Sequence, residues 1–446
     1  MLKIVLLTLA AVATSAQVQP THPQLHYLQN EIMFLIHFNM GTYTYNGDPS
    51  CNPDNWNVKA DYADGPSSDP QLFDPEKLDI QNWIQSMNDV GAKHAVLTAK
   101  HGCGFLLWPT KTLFDDGTNY PYHVGNSKGG RDVAGEFAEQ MQAAGLGHGF
   151  YYSLPRNYYL NVDAMAVQGE DTWLENMANV TQDEFERIAM EQLDELWSNY
   201  GSFTEIWFDG GYSDSFKTKV QELLEEKQPN AVTFGGFGIG KHPVCWVGTE
   251  TGLPDSEGIW IAGTENVGDY TSSNACPKGC DTTLQDDDFW FFETTKGIRE
   301  LDDLKNVYHK TVGSNGVLEI DLAVNRDGVV EPSHAARYKE LGDWIRSCYA
   351  EEVKDVVDRV VLREDMSEHG QNILSFKIQA TTEENESWVD VWVGETVGIG
   401  NKKIVLLDEP LENVTGLKVA VTELIGGDGS DYGDLTVSGH GGEGCK

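Results

Sequence analysis

Two carboxylates stand out by where they fall. Asp209 closes the run Glu205-Ile206-Trp207-Phe208-Asp209-Gly210, and Glu250 closes Cys245-Trp246-Val247-Gly248-Thr249-Glu250. Three large apolar residues that end in an acid and two glycines read as a short strand, buried on both faces and stopping at a carboxylate. Asp-Gly is also an ordinary turn signal, so Asp209 alone reads equally well as a turn or helix cap. Two acids on different strands are the equipment for glycosidic-bond hydrolysis, in which one attacks carbon and the other gives a proton to the leaving oxygen. Glu257 and Glu265, from the same loop region, compete with Glu250 for the second role. The chain has no His-Glu-x-x-His, and its Gly-x-Ser-x-Gly match, Gly125-Asn126-Ser127-Lys128-Gly129, follows none of the predicted strands, as a nucleophile elbow would. Both points count against a metal hydrolase and a serine hydrolase, and neither a metal nor a cofactor is expected.

Other polar and aromatic residues gather at the ends of predicted strands. His37, His101, Tyr152 and Trp246 fall at or just past such ends, and Trp56, Tyr158 and Trp290 lie in the adjoining loops. A single Trp is more often core packing, and a single His more often a structural hydrogen-bonder. Several at one end of successive strands suit a sugar pocket, with flat rings as walls.

The elements that must hold these residues alternate. Apolar runs at 32–38, 95–99, 149–153, 205–208, 231–234 and 317–322 read as strands. Helical patterns separate them, at 133–144, 185–200, 220–227 and 301–311, with one more opened by Asp74-Pro75-Glu76 and ended by Gly91. This grammar is α/β and predicts parallel βαβ units closing into a (β/α)8-like barrel, whose chemistry sits at the carboxyl ends of the strands. Not all eight strands are legible. After Cys348 short alternating runs at 356–362, 373–380, 388–393, 403–407 and 417–424 read as a small C-terminal antiparallel β-sandwich, with a Gly-rich, frayed end at 439–446. The expected division is 1–16, 17–348 and 349–446.

Composition bounds the compartment and the partners. Lys3, the apolar stretch 4–13 and the small residues up to Ala16 read as a secretory leader cut after Ala16, so the chain is expected to be secreted. A formal charge of −39 argues against nucleic acid and against an anionic membrane surface as partners. Seven cysteines are an odd number, and in a secreted chain some should pair, Cys276 with Cys280 being the first expectation. Asn179, Asn385 and Asn413 are glycosylation acceptor patterns.

An ordered set of motifs resembles the α-L-fucosidases of glycoside hydrolase family 29. It runs Ile36-His37-Phe38-Asn39-Met40-Gly41, Phe73-Asp74-Pro75, Lys100-His101, Gly104-Phe105, Leu107-Trp108-Pro109, Tyr151-Tyr152-Ser153, Trp207-Phe208-Asp209-Gly210 and Trp246-Val247-Gly248-Thr249-Glu250. It continues through Cys280-Asp281-Thr282-Thr283, Asp327-Gly328 and Arg363-Glu364-Asp365, and so spans nearly the whole chain after the leader. The resemblance implies a retaining exo-glycosidase acting on fucosylated glycans, with Asp209 as nucleophile. It implies Glu250 as acid/base, as in the branch that cuts α-1,3/1,4-linked fucose. His37 and His101 would hold sugar hydroxyls and Trp56 would close one side of the pocket, while Tyr152, Trp246 and Trp290 are expected there from their own places at strand ends and in adjoining loops. The chain departs from the pattern where a second His and an Asp usually follow the Lys-His pair, since Gly102 and Cys103 stand there. Losing a hydroxyl-binding His opens two alternatives. One is a related α-L-glycosidase taking L-galactose or a substituted fucose. The other is a non-catalytic carbohydrate-binding protein on a decayed barrel.

Overall fold

The computed structural model describes residues 18–44, 69–169, 177–426 and 432–445. Eight parallel strands close into a barrel. They are β1 (Ile32–His37), β2 (His94–Lys100), β3 (Gly147–Tyr152), β4 (Glu205–Trp207), β5 (Val232–Phe234), β6 (Pro243–Trp246), β7 (Lys278–Thr282) and β8 (Val317–Ala323). Each pairs with its neighbours in sequence, and β1 pairs with β8 to complete the ring. β6 and β7 carry no apolar run that would announce them. β6 is four residues long, and β7 reads Lys-Gly-Cys-Asp-Thr although every residue in it is buried.

Side chains alternate between the two faces of each strand. Met33, Leu35, Val96, Tyr151, Trp207, Phe234, Val244 and Val317 pack together inside the ring. Their strand neighbours, such as Phe34, Ile36, Leu97, Phe150, Tyr152 and Ile206, pack outward against helices. Those helices are α2 (Ile80–Val90), α3 (Val133–Ala143), α4 (Gln182–Asn199), α5 (Asp214–Lys227), α6 (Leu301–Lys310) and α7 (Pro332–Tyr349), while α1 (His22–Asn30) precedes β1. α1 lies across the amino end of the barrel, where Gln24 Nε2 donates to the carbonyls of Pro243 and Ala275.

Two expectations about boundaries need correction. α2 starts at Ile80 under an Asp79 cap, not at Asp74-Pro75. Residues 74–79 form a turn instead, because Lys77 N and Asp79 N donate to the carbonyls of Asp327 and Gly328 in the loop after β8. The chain end is also ordered. A six-stranded sandwich follows α7: β9 (Val356–Glu364), β10 (Ile373–Thr382), β11 (Val389–Gly394), β12 (Lys403–Glu412), β13 (Val414–Leu424) and β14 (Leu435–His440). One sheet is β12-β9-β14 and the other β11-β10-β13, antiparallel throughout, with Val357, Val360, Leu362, Phe376 and Ile378 between them. β14 runs on into the segment read as frayed, at 439 and 440, and Cys445 beyond it is bonded to Cys348. The sandwich is tied to the barrel, for Ile404 N donates to Gly313 O and Asn401 Nδ2 to Leu28 O.

The expected Cys276–Cys280 bridge does not form. Cys276 pairs with Cys245 on the neighbouring strand, and Cys280 is a buried thiol. Four residues of extended chain span about 13 Å, roughly twice the reach of a disulfide. Cys103 is disulfide-bonded as well. Among the described residues no helix is long and apolar enough to cross a membrane. All three sequon asparagines are exposed.

Candidate active site

Interior-facing residues near the carboxyl ends of six of the strands form one ring of polar and aromatic groups. His37 ends β1, Tyr151 lies one residue before the end of β3, and Asp209 follows β4 by two residues. Trp246 ends β6, Asp281 lies in β7 and Asp321 in β8. β-Alternation puts them on the inner face. Glu205, Trp207 and Asp209 share one parity, as do Glu319 and Asp321.

Hydrogen bonds fix several of these groups. Tyr151 OH donates to Asp209 Oδ2 at 2.6 Å. The Tyr151 ring is stacked between His101, at 5.4 Å, and Trp207, at 5.3 Å, and Trp207 stacks on Phe234 at 4.1 Å. His37 Nδ1 lies 2.8 Å from Asp321 Oδ1. Burial drives this imidazole down, His101 beside it drives it further, and burial drives the Asp321 carboxyl up, so the pair favours its neutral form. His37 also meets Trp290 at 5.0 Å and Phe291 at 5.2 Å, and Phe291 packs edge-on to His101 at 5.0 Å. Trp290 Nε1 donates to Glu250 Oε2 at 3.2 Å. A continuous path of contacts therefore runs from Glu250 through Trp290, His37, His101 and Tyr151 to Asp209. Glu250 is exposed and Asp209 half-buried.

One wall is built from the loop after β3. Lys100 is buried, and its ammonium donates to the carbonyls of Ser153 and Arg156. Burial pushes its pKa down, opposed by the charge of Asp209. Pro155 lies against Gly210, whose φ is +70° and where a Cβ would come within 2.8 Å of the proline ring. Burial lowers the pKa of the Arg156 guanidinium, but nearby Tyr158, Asp209 and Asp163 hold it up overall.

Tyr152 is not in this ring. Its parity turns it outward, where its hydroxyl donates to Gln192 of α4 at 2.7 Å and its ring lies under Lys100. The expectation attached to Tyr152 belongs to Tyr151. Tyr158 is likewise buried, with its N–H on the Gly102 carbonyl at 2.8 Å. Glu257 is exposed and its carbonyl accepts from Lys403 of the sandwich. Trp56 lies outside the described residues. His37, His101, Trp246, Trp290, Asp209 and Glu250 come to the same end of the barrel. Tyr151, Arg156, Asp281, Phe291 and Asp321 join them without having been singled out in the sequence. For Tyr151 and Asp321 the missed signal was alternation along their own strands, which sets Tyr151 on the face opposite Tyr152 and Asp321 on the face of Glu319. Among the described residues no three His, Cys, Asp or Glu side chains are grouped to hold a metal.

Gly102 and Cys103, where the resemblance breaks, are both buried. Gly102 O and Cys103 O accept from the backbone N–H groups of Tyr158 and Tyr159, so this stretch supports the neighbouring loop.

The sequence profile of the Alpha-L-fucosidase family matches residues 50–349. Alpha-L-fucosidase 1 of Arabidopsis thaliana is 25% identical over 423 residues, covering 86% of this chain and 75% of that protein. A solved structure from Bacteroides thetaiotaomicron superposes with a TM-score of 0.78 at 24% identity, covering 96% of this chain and all of that one. A Ruminococcus gnavus fucosidase of glycoside hydrolase family 29, solved in complex with fucose, superposes with a TM-score of 0.75 at 18% identity, covering 97% of each chain. At such identities the structures speak for the shared barrel and sandwich, while the profile match covers well over half of the chain. With a barrel whose carboxyl end gathers carboxylates, imidazoles and indoles, this chain belongs to the α-L-fucosidase family, glycoside hydrolase family 29, and is a glycoside hydrolase.

Proposed function

We propose that the protein is a secreted, retaining exo-α-L-fucosidase in which Asp209 is the nucleophile and Glu250 the acid/base, acting on α-1,3/1,4-linked fucose. The observation that carries this reading is the path of contacts joining Asp209 to Glu250 through Tyr151, His101, His37 and Trp290. It supplies a floor of imidazoles and rings between two acids from different strands. Asp209 attacks the anomeric carbon while Glu250 protonates the departing oxygen, giving a β-linked fucosyl-enzyme. Glu250 then takes a proton from water, which displaces Asp209 and returns the α-configuration. Tyr151 orients the attacking carboxylate through one oxygen and leaves the other for carbon. His37, fixed through Nδ1, has Nε2 to offer a sugar hydroxyl. The expected leader, the disulfide-bonded Cys103, the Cys245–Cys276 and Cys348–Cys445 bridges and the exposed sequons support an oxidising, extracellular setting.

The deciding experiment is Asp209→Ala assayed on nitrophenyl α-L-fucoside. Near-complete loss of turnover with an unchanged unfolding temperature is expected, and full activity would overturn the mechanism. A second reading, a related α-L-glycosidase with altered sugar preference, is favoured by Gly102 and Cys103, which give their carbonyls to a neighbouring loop and place no imidazole or carboxylate there. Turnover of nitrophenyl α-L-galactoside ahead of the fucoside would establish it.

A further inference from the structure

Trp246 faces the barrel interior yet is 42% exposed. Its orientation follows from alternation. Val244, two residues earlier, packs in the interior cluster, whereas Cys245 between them is bonded to Cys276. Its exposure follows from its place as the last residue of β6, at the open end. An exposed indole alone would be unremarkable. This one is anchored: its N–H donates to Asp281 Oδ1 at 2.6 Å, and Asp281 is only 3% exposed. A buried carboxylate costs stability, and this one also lies in the field of Glu319 and Glu250. In exchange it ties the nitrogen edge of the indole inward and leaves the rest of the ring at the mouth.

Glu250 lies four residues beyond Trp246 on the same loop and is itself exposed. Its carboxylate is held by Trp290, which packs on His37. A group that protonates the leaving oxygen stands at the border between the bound sugar and whatever departs. Trp290 packs on His37 at the end of β1, whereas the Trp246 ring stands exposed at the end of β6.

We propose that Trp246 is the platform of a leaving-group subsite, stacking on the C–H face of the sugar to which fucose is attached, and that Asp281 is the positioning residue that holds the indole in place. The proposal rests on Glu250 being the proton donor. Three substrates separate the two ideas: a fucosylated trisaccharide, nitrophenyl α-L-fucoside, and α-L-fucosyl fluoride, whose leaving group is one atom and cannot stack.

Trp246→Ala should lower kcat/KM on the trisaccharide by about tenfold more than on the fluoride, the size of one aromatic stacking contact, with the difference carried by KM. Asp281→Leu should reproduce that bias. Asp281→Asn, which keeps an oxygen acceptor for the indole N–H, should largely restore the trisaccharide. Equal losses on the trisaccharide and the fluoride in Trp246→Ala, or an unaltered substrate bias in Asp281→Leu, would overturn the subsite alone provided that Glu250→Ala still discriminates by leaving group. If Glu250→Ala shows no such discrimination, both ideas fall. Should Asp281→Leu not fold, Trp246→Ala decides, because its ring lies at the surface.

Discussion

Tyr151 OH sits 2.6 Å from Asp209 Oδ2, and Tyr151 reaches it from the adjacent strand, paired in register with Trp207. A phenol donor aimed at a carboxylate fixes which oxygen can attack and in which direction. The tyrosine is itself clamped by ring stacking on both sides, by His101 and Trp207. Trp207 in turn donates its N–H to Glu319 at 2.9 Å, so the orientation of Asp209 is set by layers reaching into the barrel interior.

The two neighbouring tyrosines should therefore behave oppositely. Tyr151→Phe removes a hydrogen bond to a charged group, and kcat/KM on nitrophenyl fucoside is expected to fall by about 10- to 100-fold. Tyr152→Phe removes a buried bond to Gln192, costing about 1 kcal/mol of stability without a comparable loss of turnover. Steady-state kinetics and denaturant melts on both variants check this. A larger kinetic loss in Tyr152→Phe would contradict the assigned faces of β3.

Glu250→Ala should discriminate by leaving group. A general acid matters most when the departing oxygen is a poor leaving group, so natural glycans should lose far more rate than the aryl fucoside. The fucosyl-enzyme should accumulate, because the same residue activates water. Added azide should relieve the block and yield the α-azide, since it attacks a β-linked intermediate. Asp209→Gly with azide should yield the β-azide by direct displacement on substrate. Product configuration read by NMR separates the two roles. Equal losses on both substrates with no azide response would move the acid to Glu265 or Glu257.

The barrel interior should make stability fall as pH rises. Glu205 and Glu319 are fully buried, and burial pushes both carboxyls well above their usual range, with the charge of each opposing that of the other at Glu319. The folded state thus holds a proton that the unfolded chain has already released above its ordinary pKa of 4.5. Above about 6.5, where the buried imidazoles of His37 and His94 are neutral in both states, these carboxyls leave more protons bound in the native state, and the slope of unfolding free energy against pH is negative. Glu319→Gln keeps acceptor and donor capacity without the charge. Its stability curve should be flatter than that of the parent over that range, as read from unfolding temperatures at successive pH values. A parent curve no steeper than the variant's would contradict the assignment.

Peptide mapping without reductant should recover Cys245–Cys276 and Cys348–Cys445 as linked pairs, and Cys280 should react with an alkylating agent only after unfolding. Closing a loop of 31 or 97 residues should each contribute about 3–5 kcal/mol on chain-entropy grounds, so reduction should lower the unfolding temperature. Recovery of a Cys276–Cys280 peptide would refute the strand placement of β7.

The sequence by itself determined the class of fold and the family, and drew attention to two acids, because these depend on local signals. Apolar runs such as Ile32–His37 and Glu205–Trp207 mark strands buried on both faces, and an acid directly after such a strand can be read without knowing its neighbours. Tertiary structure alone decided which polar residues look inward. β7 hides in the sequence because its inner face carries Gly279 and Asp281, whose burial is made tolerable by Trp246 from the next strand and not by anything within the segment. Tyr151 and Tyr152 are the same amino acid side by side. Only closure of the barrel, which gives alternate residues to the lumen and to the helices, sends one to Asp209 and the other to Gln192.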